Sequence, residues 1–433
     1  MAQQRIVIIG AGFAGFHCAR RLIRRVPAGT EVMLINTTDH FLYLPLLPQV
    51  SGGLLDPPRI AVSLTATLPK ARLVLGSADA VDLDGRTVAY KDLEGATREV
   101  GYDRLVLAAG SVNKLLPIPG IADHAHGFRG IPEALYLHDH LIRQIEQADA
   151  ADDPGERDAR LTFVVVGAGY TGTEVAAYGQ LLTRSVIAAH PRLAAAHARW
   201  LLIDTADHVL PGLDTRLSRT AARVLSRRGM ELRMKTSVKE ATGDGVHLSD
   251  GDFVASRTLV WCVGVRPDPF LEKLGLPTDK GRVVVDEYLT VPDHPEIYAC
   301  GDAAAVPDLT RPGQVTAMTA QHAQRQGVLA ARNIAASYGR GHRRPYKHHD
   351  LGFTVGLGRG AAAANPLHLP LAGPIAAAVT SGYHLLALPA NRIRVTADWL
   401  LGSLMRRQAV QLGLLGAASV PLETDKPDVP ENV

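Results

Sequence analysis

Arg5-Ile6-Val7-Ile8-Ile9 runs directly into Gly10-Ala11-Gly12-Phe13-Ala14-Gly15, and Phe16 to Val26 continues with helical spacing and doubled arginines on the outer side. A β-branched run, a glycine turn and an amphipathic stretch in that order predict strand, turn, helix. Each glycine has its own part. The first permits a tight turn, the second lets backbone approach a pyrophosphate, and the third packs helix on strand. The helix N-terminus then turns partial positive charge toward phosphates. Glu31 to Ile35 reads as the next strand, its unbroken Val32-Met33-Leu34-Ile35 suiting a parallel strand covered on both faces.

The unit recurs. Leu161 to Val166 repeats the strand, Gly167-Ala168-Gly169-Tyr170-Thr171-Gly172 the glycine turn, and Leu201-Leu202-Ile203 the second strand. One such motif is a weak signal, but two in the same strand-to-helix context form an internal duplication. The fold class expected is therefore α/β, with two Rossmann-like dinucleotide-binding domains.

Around these units the chain divides. Residues 1–150 and 286–340 are expected to form the first domain, 158–285 the second, 341–422 a C-terminal region, and 423–433 a disordered, proline-containing acidic tail. Between Arg72 and Tyr102, turns at Leu83-Asp84-Gly85-Arg86 and Leu93-Glu94-Gly95 predict an inserted antiparallel meander, after which Leu105 to Ala109 rejoins the parallel sheet. The acidic stretch from Gln147 to Arg160 reads as an exposed linker.

Composition narrows the function. With 433 residues, 46% hydrophobic and 21% charged, the chain has the make-up of a multidomain globular protein. Lys plus Arg total 46 against 43 for Asp plus Glu, and the resulting +3 gives no overall electrostatic case for a nucleic-acid binder, so any basic partner surface must be local. Cys18, Cys262 and Cys300 lie far apart and form no CxxC pair, which argues against a disulfide framework or a thiol-disulfide reductase. The apolar run Ile6 to Ile9 is too short for a secretory signal, predicting a cytoplasmic chain. Gly360 to Asn391 holds no Asp, Glu, Lys or Arg, but Pro366, Pro370, Pro374 and Pro389 make it a poor spanning helix.

Several residues are candidates for binding. Asp204 ends the second strand of the second unit, where a carboxylate can accept both hydroxyls of an adenosine ribose and repel a 2′-phosphate. The equivalent residue of the first unit is Asn36, which can bond a ribose without charge assistance. Histidines are numerous but badly arranged for a metal, and no Gly-x-Ser-x-Gly elbow is present. No metal site is expected.

Tyr298-Ala299-Cys300-Gly301-Asp302, with Leu107-Ala108-Ala109-Gly110-Ser111 and both glycine turns, resembles the late flavin-binding signature of flavoproteins with two dinucleotide domains. There the Asp bonds a ribityl hydroxyl. More specifically the chain resembles the type II NADH dehydrogenases, through Phe41 to Val50, Asp153 to Glu174, Thr258 to Gly264, Gly281 to Asp302 and Ala320-Gln321-His322-Ala323.

The resemblance implies FAD in the first domain and NADH in the second. FAD would be held by Gly10, Gly12, Gly15, Asn36, Ala109, Gly110, Gly301 and Asp302, and NADH by Gly167, Gly169, Gly172, Asp204 and Gly264. It implies an enzyme that takes hydride from NADH onto FAD and passes electrons to quinone without pumping protons, with Glu174 beside nicotinamide and flavin and Gln321 near the quinone. Thr319 would cap a helix pointing at the flavin.

One departure bears on the acceptor. The family motif Ala-Gln-x-Ala-x-Gln has Arg325 in its sixth position here, a cation for an amide, facing the same channel as Gln321. Delivery to a small redox protein or a metabolite by a soluble NAD(P)H-dependent reductase is the alternative, as is NADH sensing of the apoptosis-inducing-factor type. Finally, Arg392, Arg394, Arg406 and Arg407 flank Val395, Trp399, Leu400, Leu401, Leu404 and Met405. Such a helix can lie on the cytoplasmic face of an anionic membrane with Trp399 at headgroup depth, or pack in a homodimer.

Overall fold

The computed structural model describes residues 4–405 and 408–422. Arg406, Arg407 and the 423–433 tail lie outside the described residues. Arg5–Ile9 is a strand and Phe13–Leu22 the first helix, α1. The strand pairs in parallel with Glu31–Asn36 on one side, Ile6 opposite Val32, and with Arg104–Leu107 on the other. Ala71–Asp82 and His294–Ala299 extend the parallel core outward. Ile6, Val7 and Ile8 are wholly buried, the covered-on-both-faces state their β-branched run suits. Thr87–Asp92 and Thr97–Gly101 then add two antiparallel strands to the Ala71–Asp82 edge, so the meander continues this sheet, which has eight strands.

Helix α2, Ile131–Ala150, follows. The expected linker after it is a correction: Pro154–Arg160 is helical, with Asp153 accepting the Glu156 N–H at 2.7 Å. Asp at the cap and Pro at the first helical position start a helix, and here they override the loop-like acidity.

The second unit is a four-stranded parallel sheet in the order Met230–Met234, Arg199–Asp204, Thr162–Val166, Thr258–Trp261. Its helices are α3, Tyr170–Ile187, and α4, Thr215–Arg227. Helix α5, Ala320–Ser337, returns to pack on α1, and the crossing is close because a Cβ at Gly327 would strike the Ala14 carbonyl.

The C-terminal region carries a small antiparallel sheet, Thr354–Gly356, Ala362–Ala364 and Leu371–Ala372, followed by α6, Gly373–Ala387, and α7, Arg392–Leu404. The charge-free window is thus divided between short strands and one 15-residue helix. Among the described residues no helix is long and apolar enough to cross a membrane.

In α7 the inward face is Val395, Asp398 and Trp399: Asp398 takes a two-point bond from Arg59, and the Trp399 indole N–H donates to Gln49 Oε1 at 2.8 Å. Trp399 therefore packs against the body of the protein and not at headgroup depth. Leu400, Leu401 and Leu404 are 59%, 53% and 81% exposed instead.

Candidate functional site

The six glycines of the two turns separate by what surrounds them. Gly10 and Gly167 have φ of +93° and +105°, and a Cβ on either would run into a carbonyl of the neighbouring strand end, Ala108 or Cys262. At Gly15 and Gly172 a Cβ would strike the Gly10 and Gly167 carbonyls. Gly12 and Gly169 are different: with φ of −66° and −72°, a Cβ there meets nothing within 4 Å. Neither backbone strain nor the polypeptide asks for glycine at these two positions. Each opens directly at a helix N-terminus, where an approaching anion would meet bare backbone. Gly110 and Gly264, at φ +82° and +106°, also face open space, next to the first and second turns respectively.

At the next strand ends, Asn36 Oδ1 accepts the Ala11 N–H at 2.8 Å, and the Asp204 carboxylate accepts from Ala168 N and, at 2.8 Å, from Ala206 N. Both side chains thus brace the glycine turns while their remaining lone pairs stay free for a sugar hydroxyl. Asp204→Ala is expected to weaken discrimination against NADPH about tenfold in kcat/KM, by removing the charge that repels its phosphate. Equal kcat/KM for both nucleotides in the unmodified protein would remove the argument.

Beneath the first turn, Gly301 (φ +75°) and Asp302 follow the His294–Ala299 strand. Asp302 is half-buried and accepts from Ser111 Oγ at 2.8 Å; desolvation raises its carboxyl above the usual range, opposed by Ser111 and Arg282. Gln326, wholly buried, fixes the turn by accepting the Gly301 N–H at 2.8 Å and donating to Thr316 Oγ1 at 2.9 Å. Sequence reasoning assigned Gln326 no role, although it directly follows the short motif that contains Gln321. Thr319 caps α5, its hydroxyl accepting the His322 N–H. A Cβ at Gly301 would meet Ala14 of the first helix and Ala323 of α5, so the first turn, the Asp302 turn and the capped helix adjoin, and the donor set fits FAD.

Glu174 lies in α3, one turn beyond the second glycine loop. It is only partly exposed, accepts the Gly356 N–H at 2.6 Å, and desolvation pushes its carboxyl up to about 8. A side chain on Gly356 would crowd Tyr178 Oη and Glu174 Oε1, so α3 and the C-terminal sheet meet here at backbone distance.

Gln321 and Arg325 reach one loop: Gln321 donates to the Gly352 carbonyl, and Arg325 to the His349 carbonyl and to His348 Nδ1. They share a side of α5, as expected, but as clasps of the 348–352 loop rather than as free donors. His348 lies tilted against His322, their ring centroids 4.0 Å apart, and His322 Nδ1 meets Tyr346 Oη at 2.8 Å.

Cys18 and Cys300 are buried, and burial holds the first thiol far above its usual value and pushes the second up to about 12, so both are packing groups. His138 bonds the Ser51 carbonyl and His140 the Thr258 hydroxyl. Among the described residues no cluster of His, Cys, Asp or Glu could hold a metal.

Two dinucleotide cradles in one chain, the first floored by the Gly301-Asp302 turn, define a flavin and pyridine-nucleotide oxidoreductase. The family described as Pyridine nucleotide-disulphide oxidoreductase matches residues 4–327. Over 427 residues, 95% of this chain and 89% of the relative, the sequence is 31% identical to the type II NADH:quinone oxidoreductase NdhA of Mycobacterium tuberculosis. It is also 31% identical to that organism's Ndh over 94% of this chain and 89% of the relative. The chain belongs to the pyridine nucleotide-disulphide oxidoreductase family and, within it, to the type II NADH:quinone oxidoreductases. In fold it is similar to NDH2 of Plasmodium falciparum, solved in complex with NADH, with a TM-score of 0.87 at 17% identity over 94% of this chain and 100% of that one.

Proposed function

We propose that this chain oxidises NADH and reduces a quinone through FAD, with FAD in the domain of residues 1–150 and 286–340 and NADH in that of residues 158–285. The observation that carries the assignment is the pair of open glycines, Gly12 and Gly169, each at a helix N-terminus with no polypeptide atom to account for it. Bound FAD supplies the ability to take two electrons from NADH and give them to the acceptor. The chain supplies position and electrostatics.

Gly12 lets backbone reach the FAD pyrophosphate, and Gly10 and Gly15 shape that turn; Ala109, Gly110 and Gly301 line its neighbourhood. Asp302 would accept from the ribityl chain and Asn36 from the adenosine ribose. The capped N-terminus of α5 turns partial positive charge toward the flavin ring, favouring negative charge there. In the second domain Gly169 admits the NADH pyrophosphate between Gly167 and Gly172, Asp204 selects the unphosphorylated ribose, and Gly264 leaves room beside it. Glu174, protonated at neutral pH, holds a proton on the nicotinamide side. On the other side Gln321 and Arg325 hold the 348–352 loop over the acceptor. The exposed leucines of α7 attach the protein peripherally to a membrane surface, where a quinone is at hand.

The test separates the half-reactions. Anaerobic NADH should bleach the flavin, and reoxidation by short-chain quinones should outpace reoxidation by ferredoxin-like proteins. Arg325→Ala is expected to lower quinone kcat/KM about tenfold by freeing the loop, and to change the flavin bleaching rate less than about twofold. Faster reoxidation by the small redox proteins, or unchanged quinone turnover in Arg325→Ala, would favour the alternative acceptor.

A further inference from the structure

Helix α4 carries a cationic stripe. Arg216, Arg219, Arg223 and Arg227 recur at spacings of three, four and four residues, which places them within about 80° of the helix circumference and along about 16 Å of its axis. All four are exposed, while Leu217, Ala221 and Leu225 bury the opposite face. The helix contains no Asp or Glu. Among the described residues none of the four arginines meets a carboxylate, and Arg223 bonds within its own helix, to the Arg219 carbonyl and Thr220 Oγ1. Like charges one turn apart oppose a helix, so this face is built at a cost that an outside anion would offset.

Position says what kind of anion. Arg228, directly after α4, donates to the Leu357 and Arg359 carbonyls, and Arg359 donates to the Gly402 carbonyl of α7 at 2.7 Å. The C-terminal end of α4 is thereby tied to the stretch of α7 where Leu400, Leu401 and Leu404 are exposed. Along its length α4 packs on the strands Ala362–Ala364 and Leu371–Ala372, and Leu367 and Leu369, 67% and 64% exposed, immediately precede the second. The helix that carries the stripe is thus tied at two places to elements that carry bare leucines. An acidic protein would match the charge and leave the leucines wet. A bilayer with anionic headgroups matches both, taking leucines at the acyl boundary and guanidiniums at the phosphates.

We propose that α4 is an anionic-lipid contact: its arginine stripe binds the phosphate headgroups of the bilayer that the leucines of α7 enter, and so fixes the NADH-binding domain against the membrane surface. The proposal rests on the peripheral attachment read above and adds a second, electrostatic contact outside the C-terminal region. With an overall charge of only +3, the stripe is a local excess of positive charge.

Partition of the flavin-loaded protein onto phosphatidylglycerol and phosphatidylcholine vesicles at low salt tests it. With Arg216, Arg219, Arg223 and Arg227 all changed to Gln, partition onto the anionic vesicles is expected to fall at least about tenfold and to lose most of its salt dependence. Partition onto neutral vesicles should be unchanged. The fourfold Arg→Lys variant should keep most of the anionic binding, and flavin content with turnover of a soluble acceptor shows that both variants are folded. Equal partition of the Gln variant and the unmodified protein onto anionic vesicles overturns the role of α4 alone. If the unmodified protein binds neither vesicle, peripheral attachment itself falls and the α4 contact with it; Leu400→Asp with Leu401→Asp should abolish binding to both.

Discussion

Gly12→Val is expected to give a folded but colourless protein. At φ −66° a valine adopts the backbone without strain, and its side chain meets no polypeptide atom within 4 Å of the Cβ. The apo fold should therefore change by no more than about 0.5 kcal/mol, as at an ordinary surface position. The valine methyls would nevertheless occupy the place where backbone must come against the pyrophosphate, and flavin affinity should fall at least about a hundredfold. Gly15→Ala is the control with the opposite sign. Its Cβ would be driven into the Gly10 carbonyl, so it should lose the fold together with the flavin. Gly169→Val should keep the yellow colour and raise the KM for NADH, because its open space belongs to the second cradle. Visible absorbance after gel filtration, set beside thermal melts of the flavin-free proteins, separates these outcomes. A yellow Gly12→Val protein with normal turnover would refute the FAD assignment.

These contrasts also mark what the sequence could and could not reveal. Whatever depends on a few consecutive residues was legible: both glycine turns, the strands feeding them, the meander with its Leu83 to Arg86 and Leu93 to Gly95 turns, and the Thr319 cap. The helix at Pro154–Arg160 also had its signal, Asp153-Pro154 with Glu156 at the capping distance, but the acidity of the stretch was weighed above its cap. What depends on distant partners was hidden. In α7 the apolar residues run around much of the helix, so no periodicity tells which side packs. That choice is made by Arg59 bonding Asp398 and Gln49 bonding Trp399, each more than 300 positions away. An aspartate between apolar residues reads as solvated until its arginine is seen. Arg325 was legible as a cation near Gln321, but its engagement with His348 and His349 needed the loop in place.

Glu174 is the largest such case, and its consequence is a pH dependence of stability that Glu174→Gln should remove. Nothing in Tyr170 to Ile187 says that this carboxyl is largely withdrawn from water, because the backbone that covers it, Gly356, lies 182 positions later. In the folded protein burial pushes the carboxyl up to about 8, whereas in the unfolded chain it titrates near 4.5. Between those values the folded state holds a proton that the unfolded state has released. Stability contributed by this group is therefore fully present below the lower value and is lost as pH rises toward the upper one. The spread corresponds to at most about 5 kcal/mol, reduced by the water that still reaches the partly exposed carboxyl. Glutamine keeps the shape and can still accept the Gly356 N–H, but it cannot ionise. The Tm of Glu174→Gln relative to the unmodified protein, at matched flavin loading, is thus expected to be nearly level at pH 5 and to rise by several degrees by pH 8.5. Parallel Tm curves across that range would mean that the Glu174 carboxyl is solvated, and the proton assigned to the nicotinamide side would have to be carried by another group.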